Sequence, residues 1–231
     1  MLGAMPRALA TILLVLAGFV SGIEGQSRRA PAKKPTSRPA PAATKPVREA
    51  PLMQCPSILG NGASTQRLYC DVLTGTDPAG GLRITIPPHK GPATLFLTLH
   101  NRQTYSESEV KAGKAFARYT ALLRASTPAG ELIADLAVRS EFRSVRDLVE
   151  RIGGGAGPGG VKAVAPTGSE SVVIDVAEAV SEVVLLGRSL QVDRVGGSEV
   201  TTAPGRPIAV VSQVEIEYRP GTPRTGAQQR R

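Results

Sequence analysis

Tryptophan is absent from this chain, and its 231 residues hold only four tyrosines, four phenylalanines, two histidines and two cysteines. Each shortage narrows the function. Carbohydrate platforms and single-stranded nucleic-acid sites stack their ligands on exposed aromatic faces, and a chain that is 3% aromatic has few to offer. Cys55 and Cys70 do not form a Cys-x-x-Cys redox or zinc motif, and no other cysteine exists to complete a metal site. No Gly-x-Ser-x-Gly elbow occurs. His89 and His100 are separated by a turn and most of a predicted strand, and eight strand residues span about 27 Å, too far to hold one metal. The sequence therefore designates no catalytic residue, no metal ligand and no cofactor. A hydrolase remains as an alternative, because any two carboxylates can converge and one histidine can join carboxylates around a metal.

A compact basic surface is also missing. The net charge of +9 divides into +6 for residues 1–50, +4 for residues 219–231 and −1 for the 168 residues between them. A fold that reads a phosphate backbone carries its lysines and arginines on itself. Here they sit at the ends, which excludes specific nucleic-acid recognition by the fold and allows weak polyanion contact through the termini.

What the sequence does contain begins with an export signal. Arg7 precedes the apolar run Ala8–Val20, and Gly22 and Gly25 offer small residues for cleavage. Thirteen apolar residues are too few for a confident membrane span. Residues 1–25 thus read as a signal peptide directing the chain to the periplasm or outside the cell, with no membrane span after cleavage. The alternative is an uncleaved inner-membrane anchor. A disulfide between Cys55 and Cys70 fits an oxidising compartment and outweighs a metal or redox pair. In the chain-entropy model such a loop closure contributes about 3 kcal/mol.

Residues 26–51 form a Pro/Ala/Lys-rich linker. Six prolines and seven basic residues between Ser27 and Pro51 leave too little apolar surface to offset ordering, so disorder with polyproline character is predicted. At about 3.1 Å per residue it reaches on the order of 75 Å as a spacer. Residues 219–231 read as a basic disordered tail.

Between them, residues 52–218 alternate with the period of half-buried strands. Gly81–Tyr105 is the clearest stretch. Leu82, Ile84 and Ile86 alternate with polar residues, the Pro87–Pro92 cluster turns the chain, and Leu95, Leu97 and Leu99 alternate again, which predicts a hairpin. Cys55 and Cys70 are predicted to face each other across another hairpin turning near Gly62. Further strands are predicted at 68–73, 115–123, 132–138, 161–165, 171–176, 183–186, 190–195 and 208–218. In the last of these, Ile208, Val210, Ser212, Val214, Ile216 and Tyr218 share a face, and Gln213, Glu215 and Glu217 meet water. One helix is predicted over Val145–Ile152, with Ser144 as N-cap and apolar residues at helical spacing; Ser106-x-x-Glu109 suggests a loop or single helical turn. Short strands with Gly/Pro turns and one short helix predict a mainly β fold, an antiparallel β-sandwich of jelly-roll or immunoglobulin-like type.

Two local patterns bear on ligands. Gly155, Gly157 and Gly160 match G-x-G-x-x-G, but a helix precedes and a strand follows, the reverse of the dinucleotide fingerprint, so the stretch reads as a turn or flap. The run from His100 to Tyr105 is the densest polar cluster. His100, Asn101, Arg102 and Tyr105 are accordingly the candidate ligand-binding residues, expected on a loop at a strand end. Together these features suggest an exported non-enzymatic interaction or structural module whose partner is a protein or an envelope polymer. A carbohydrate or cell-wall polymer binder is the alternative.

Overall fold

The computed structural model describes residues 45–152 and 163–221. The signal-like segment, most of the linker, the glycine-rich loop with its G-x-G-x-x-G pattern and the end of the tail lie outside the described residues. Twelve strands are present among the described residues: β1 (Val47–Glu49), β2 (Met53–Gln54), β3 (Ile58–Asn61), β4 (Leu68–Leu73), β5 (Leu82–Thr85), β6 (Ala93–Tyr105), β7 (Ala117–Ser126), β8 (Leu132–Phe142), β9 (Ala163–Val176), β10 (Glu182–Arg194), β11 (Gly197–Thr201) and β12 (Pro207–Tyr218). They form two six-stranded sheets. The first runs β3-β4-β12-β6-β9 with β1 beside β12, and the second runs β2-β5-β10-β7-β8 with β11 beside β10. All strand pairs are antiparallel. The chain is a β-sandwich with a single short α-helix, α1 (Glu107–Lys111), among the described residues.

Alternation builds the core. Leu95, Leu97 and Leu99 of β6 point inward with Val72, Leu82, Ile84, Leu123, Leu185 and Ile216, all nearly or completely buried. Each such side chain contributes about 1.5–3 kcal/mol on burial. A second cluster around Tyr105, Tyr119 and Phe142 closes one end of the sandwich. Asn101 joins the sheets between the two clusters. Its Nδ2 donates to the Val138 carbonyl at 3.3 Å, and its Oδ1 accepts from Ser140 Oγ at 2.7 Å, both on β8.

Several sequence expectations are corrected. The Gly81–Tyr105 stretch is not a hairpin: β5 belongs to the second sheet and β6 to the first, so the Pro-rich loop is a crossover. Alternation identifies a half-buried strand but not its neighbour. Cys55 and Cys70 are joined, with Cα atoms 5.6 Å apart, but not across a ladder. Ile58 pairs with Cys70, and Cys55 lies in the crossover from β2 to β3. The predicted helix over Val145–Ile152 is one 3-10 turn, Val145–Asp147. Ser144 is the N-cap as predicted, and it forms a reciprocal capping box with Asp147. Leu148 then leaves in extended conformation, with a bridge to Thr167, and Ile152 bridges to Gly62. The apolar residues of that segment serve two separate clusters, Val145 and Leu148 one and Ile152 the other, which no single helix face can do.

The two short strands expected at 161–165 and 171–176 are one continuous strand, β9, within the described residues. In β12 the predicted face is broken by a bulge at Ser212. Before it Ala209 and Val211 enter the core; after it Val214 and Ile216 do, because one extra residue inverts the alternation. Finally, β1 pairs Val47 with Tyr218 and Glu49 with Ile216, so the sheet begins inside the stretch whose composition reads as linker.

Candidate functional site

The residues singled out from the sequence all lie within β6, not on a loop, and the strand divides them between its faces. Asn101 and Tyr105 point inward; Tyr105 is 7% exposed and its ring lies 5.9 Å from Phe142. His100 and Arg102 point outward, onto the face of the first sheet away from the core.

His100 nevertheless stays buried, 2% exposed, because both strands beside it carry an extra residue. On β12 the bulge at Ser212 adjoins Leu99, and on β9 the register jumps from Glu170 to Thr167 opposite Leu99 and Asn101. Each bulge supplies one partner for the ring. Nδ1 lies 2.5 Å from the Gly168 carbonyl and Nε2 lies 2.7 Å from Ser212 Oγ. A carbonyl only accepts, so Nδ1 donates and the neutral ring accepts at Nε2 from the serine hydroxyl. Burial lowers the His100 pKa and favours that neutral form. Gly168 has φ +68, in the left-handed region, and a Cβ there would collide with Ser140, so the bulge requires glycine.

Beside it, Arg102 Nε donates to Asp71 Oδ1 at 3.1 Å, and Ser57 Oγ donates to Asp71 Oδ2 at 2.9 Å. Asp71 is 2% exposed. Burial raises its pKa, and Arg102 and Ser57 oppose that rise.

Glu150 completes this half of the face and was missed in the sequence. The segment from Leu148 to Ile152 crosses over the outer face, and Ile152 packs on Tyr69 and Val210. From it the Glu150 carboxylate enters a cradle of four donors: Ser64 N at 2.5 Å, Thr65 N at 2.8 Å, Thr65 Oγ1 at 2.5 Å and Tyr69 Oη at 3.2 Å. The Thr65 hydroxyl first, with the backbone N–H groups of Thr65 and Ser64, lowers its pKa to about 2 despite burial. A Cβ at Gly62 would collide with that carboxylate, so the approach needs glycine there. No local signal marks Glu150, since its partners lie more than 80 residues away.

The other half of the face is open. Cross-strand pairing lines up Arg48, Glu217, Thr94 and Asp175 in one row and Glu215, Phe96 and Val173 in the next. The Arg48 guanidinium sits 4.0 Å from the Phe96 ring centroid and pairs with Glu215 at 2.6 Å. Val173 is 60% exposed. Among the described residues no ion pair engages Asp175 or Glu217.

His89 lies elsewhere, in a cleft of about 550 Å³ lined by Pro87, Lys90, Glu178 and Ser181 among others. Its Nδ1 is 2.9 Å from the Pro87 carbonyl. Among the described residues no group of three or more His, Cys, Asp or Glu side chains is placed to hold a metal, and no helix is long and apolar enough to cross a membrane.

No protein-family model and no curated protein matches the chain. Among solved structures it is similar to the K1 cleaved adhesin domain of Lys-gingipain (Kgp) from Porphyromonas gingivalis W83, with TM-score 0.31 and 7% identity, covering 77% of this chain and 99% of that one. A likeness of that strength carries no argument about fold or function.

Proposed function

We propose that the chain is an exported, non-enzymatic β-sandwich that acts as an interaction module in the bacterial envelope or outside the cell. One observation supports this reading most. The side chains best suited to chemistry on the first sheet are committed to one another or to the backbone, whereas the accessible part of the same sheet is an open face. His100 uses both nitrogens, Asp71 is held by Arg102 and Ser57, and Glu150 fills its own cradle. Open sheet faces and strand edges suit macromolecular contact; small-molecule catalysis on this face would ask for a concave pocket with convergent polar groups. The Cys55–Cys70 bridge is in keeping with export. In this reading the linker spaces the domain from a membrane or wall, and its basic residues add weak contact with polyanions.

The test pairs a turnover screen with a retention assay. Purified full chain is expected to show no hydrolysis of polysaccharide, ester or phosphate substrates and to be retained on an isolated envelope fraction. Robust turnover abolished by a single carboxylate substitution would falsify the proposal. Of the four residues expected to touch ligand, Arg102 shows the most side chain, 24% exposed, whereas His100, Asn101 and Tyr105 are buried. A polymer contact through that stretch therefore runs through Arg102, and glycan binding insensitive to Arg102→Ala rules it out. Polyanion contact through the linker is tested by deleting residues 26–44, which spares β1.

A further inference from the structure

The open half of the first sheet's outer face presents three carboxylates, Asp175, Glu215 and Glu217, around Phe96 and Val173, against one guanidinium, Arg48. Phe96 and Val173 are direct cross-strand neighbours, flanked by Glu215 on one side of Phe96 and by the row Glu217, Thr94, Asp175 along the strand direction. Gln213, Glu215, Glu217, Ser171, Val173 and Asp175 are all exposed. What distinguishes this face from a merely solvated one is the way Arg48 is held. Its guanidinium makes two contacts with Glu215, from Nε at 2.9 Å and from a terminal nitrogen at 2.6 Å, and it lies over the Phe96 ring. Both nitrogens reach one oxygen, Glu215 Oε2, and a planar cation held over an aromatic and against a carboxylate is a common mode of arginine recognition. Arg48 belongs to β1, a three-residue strand at the border of the sheet. The face thus already recognises one arginine on an extended segment, and two of its carboxylates are left without an ion-pair partner among the described residues.

We infer that this face is a docking surface for a cationic, arginine-containing extended segment of a partner protein. The inference rests on the interaction-module reading and deepens it. Extended backbone places side chains of one face about 6.6–7 Å apart, which matches rows of a sheet spaced two residues apart. One guanidinium of the segment takes the Phe96–Glu215 position by displacing Arg48, and a second cation meets Asp175 and Glu217. Charge complementarity sets the partner's sign, and the aromatic selects arginine over lysine.

Fluorescence anisotropy of a labelled arginine–proline decapeptide titrated with the full chain tests this. At low salt, Asp175→Asn with Glu217→Gln is expected to weaken binding about tenfold, as loss of two surface pairs implies. Arg48→Ala has the opposite sign: it frees the Phe96–Glu215 position and tightens binding at least about threefold. Arg48→Gln, which keeps the aliphatic stem through Cγ and a polar end but removes the charge, is expected to do the same if Arg48→Ala loosens the strand. The lysine counterpart of the peptide binds more weakly than the arginine peptide, and both weaken as salt rises and screening sets in. Equal affinity of wild type and the double variant, no gain with either Arg48 variant, or no preference for arginine overturns the inference. Retention of the full chain on the envelope fraction that survives all these variants leaves the interaction module standing and removes this face from it. Loss of retention by the double variant supports the face.

Discussion

Two halves of one sheet face follow opposite rules. At and beneath the Leu148–Ile152 crossing, Tyr69, Asp71, His100 and Glu150 are polar groups removed from water, and partly exposed Arg102 is paired with one of them. Beyond it, Val173, Asp175, Glu215 and Glu217 are ordinary residue types left in water beside half-buried Thr94 and Phe96. The polar inventory is similar, but the energetics differ. A buried polar group stripped of its partner incurs its full desolvation cost, whereas an exposed one falls back on solvent. Substitution should therefore damage stability in the covered half and leave it nearly untouched in the open half.

The largest effect expected is on the covered half alone. Replacing Cys55 and Cys70 by serine removes the loop closure and costs about 3 kcal/mol. Cys70 sits on β4, whose outward neighbours Tyr69 and Asp71 carry the Glu150 and Arg102 contacts. Amide exchange is expected to rise most in residues 57–73 and 148–152, and in β6 near Leu95 and the paired part of β9 only by as much as the loss of global stability implies. A uniform rise along the chain would erase the distinction between the halves.

Arg102→Ala comes next, at about 2 kcal/mol, below the range for a fully buried pair because Arg102 is partly exposed. The pH dependence identifies the cause. Without Arg102, Asp71 is a buried carboxylate whose folded pKa rises further above its ordinary value of 3.8, burial now being less opposed. The folded variant then holds a proton that the unfolded chain releases, so its stability falls as pH rises through and above that ordinary value. Urea midpoints for the variant should be higher near pH 4 than near pH 7, relative to wild type; a constant deficit would point to lost packing.

Glu150 gives a smaller effect of the opposite sign. Its carboxyl titrates at about 2 in the folded protein against 4.5 ordinarily. Between those values the unfolded chain binds more protons, so the Glu150 contribution is complete above about pH 4.5 and is lost as pH falls toward 2. Glu150→Gln is expected to flatten the acid side of the stability profile and to leave the neutral side parallel to wild type. An unchanged acid slope would mean that other carboxylates set it.

How far the sequence could be read follows the same division. The open half is legible, because Gln213, Glu215 and Glu217 alternate with Val214 and Ile216 on a regular ladder, and a period of two states which side meets water. The core leucines of β6 and the disulfide partners are legible for the same local reasons. The covered half is not. Two bulges, at Ser212 and beside Gly168, shift register by one residue and reverse which side chains face the core. A bulge has no period to betray it. The cradle of Glu150 and the pairing of Arg102 with Asp71 join residues distant in the chain, and capping chemistry at Ser144 is satisfied equally by a long helix or a single turn. The polar run from His100 to Tyr105 reads as a loop at a strand end because burial of a histidine and an asparagine side by side requires partners that only the folded sheets provide.

The smallest effect belongs to the open half and decides whether the contrast is real. Glu217→Gln and Asp175→Asn are expected to change stability by no more than about 0.5 kcal/mol each, the usual range for surface positions without buried partners. Both residues lie in the row with Thr94 and Arg48, where relief of like-charge crowding and loss of any attraction to Arg48 act in opposite directions. Screening supplies the check. Any residual effect of these substitutions should shrink as salt rises and the Debye length drops below about 5 Å, whereas the Arg102→Ala deficit, set by a buried carboxylate, should persist. If a high-salt urea titration of Glu217→Gln or Asp175→Asn still shows a deficit comparable to that of Arg102→Ala, the open half is part of the stabilising framework of the sandwich, and its carboxylates are held by contacts that exposure alone does not reveal.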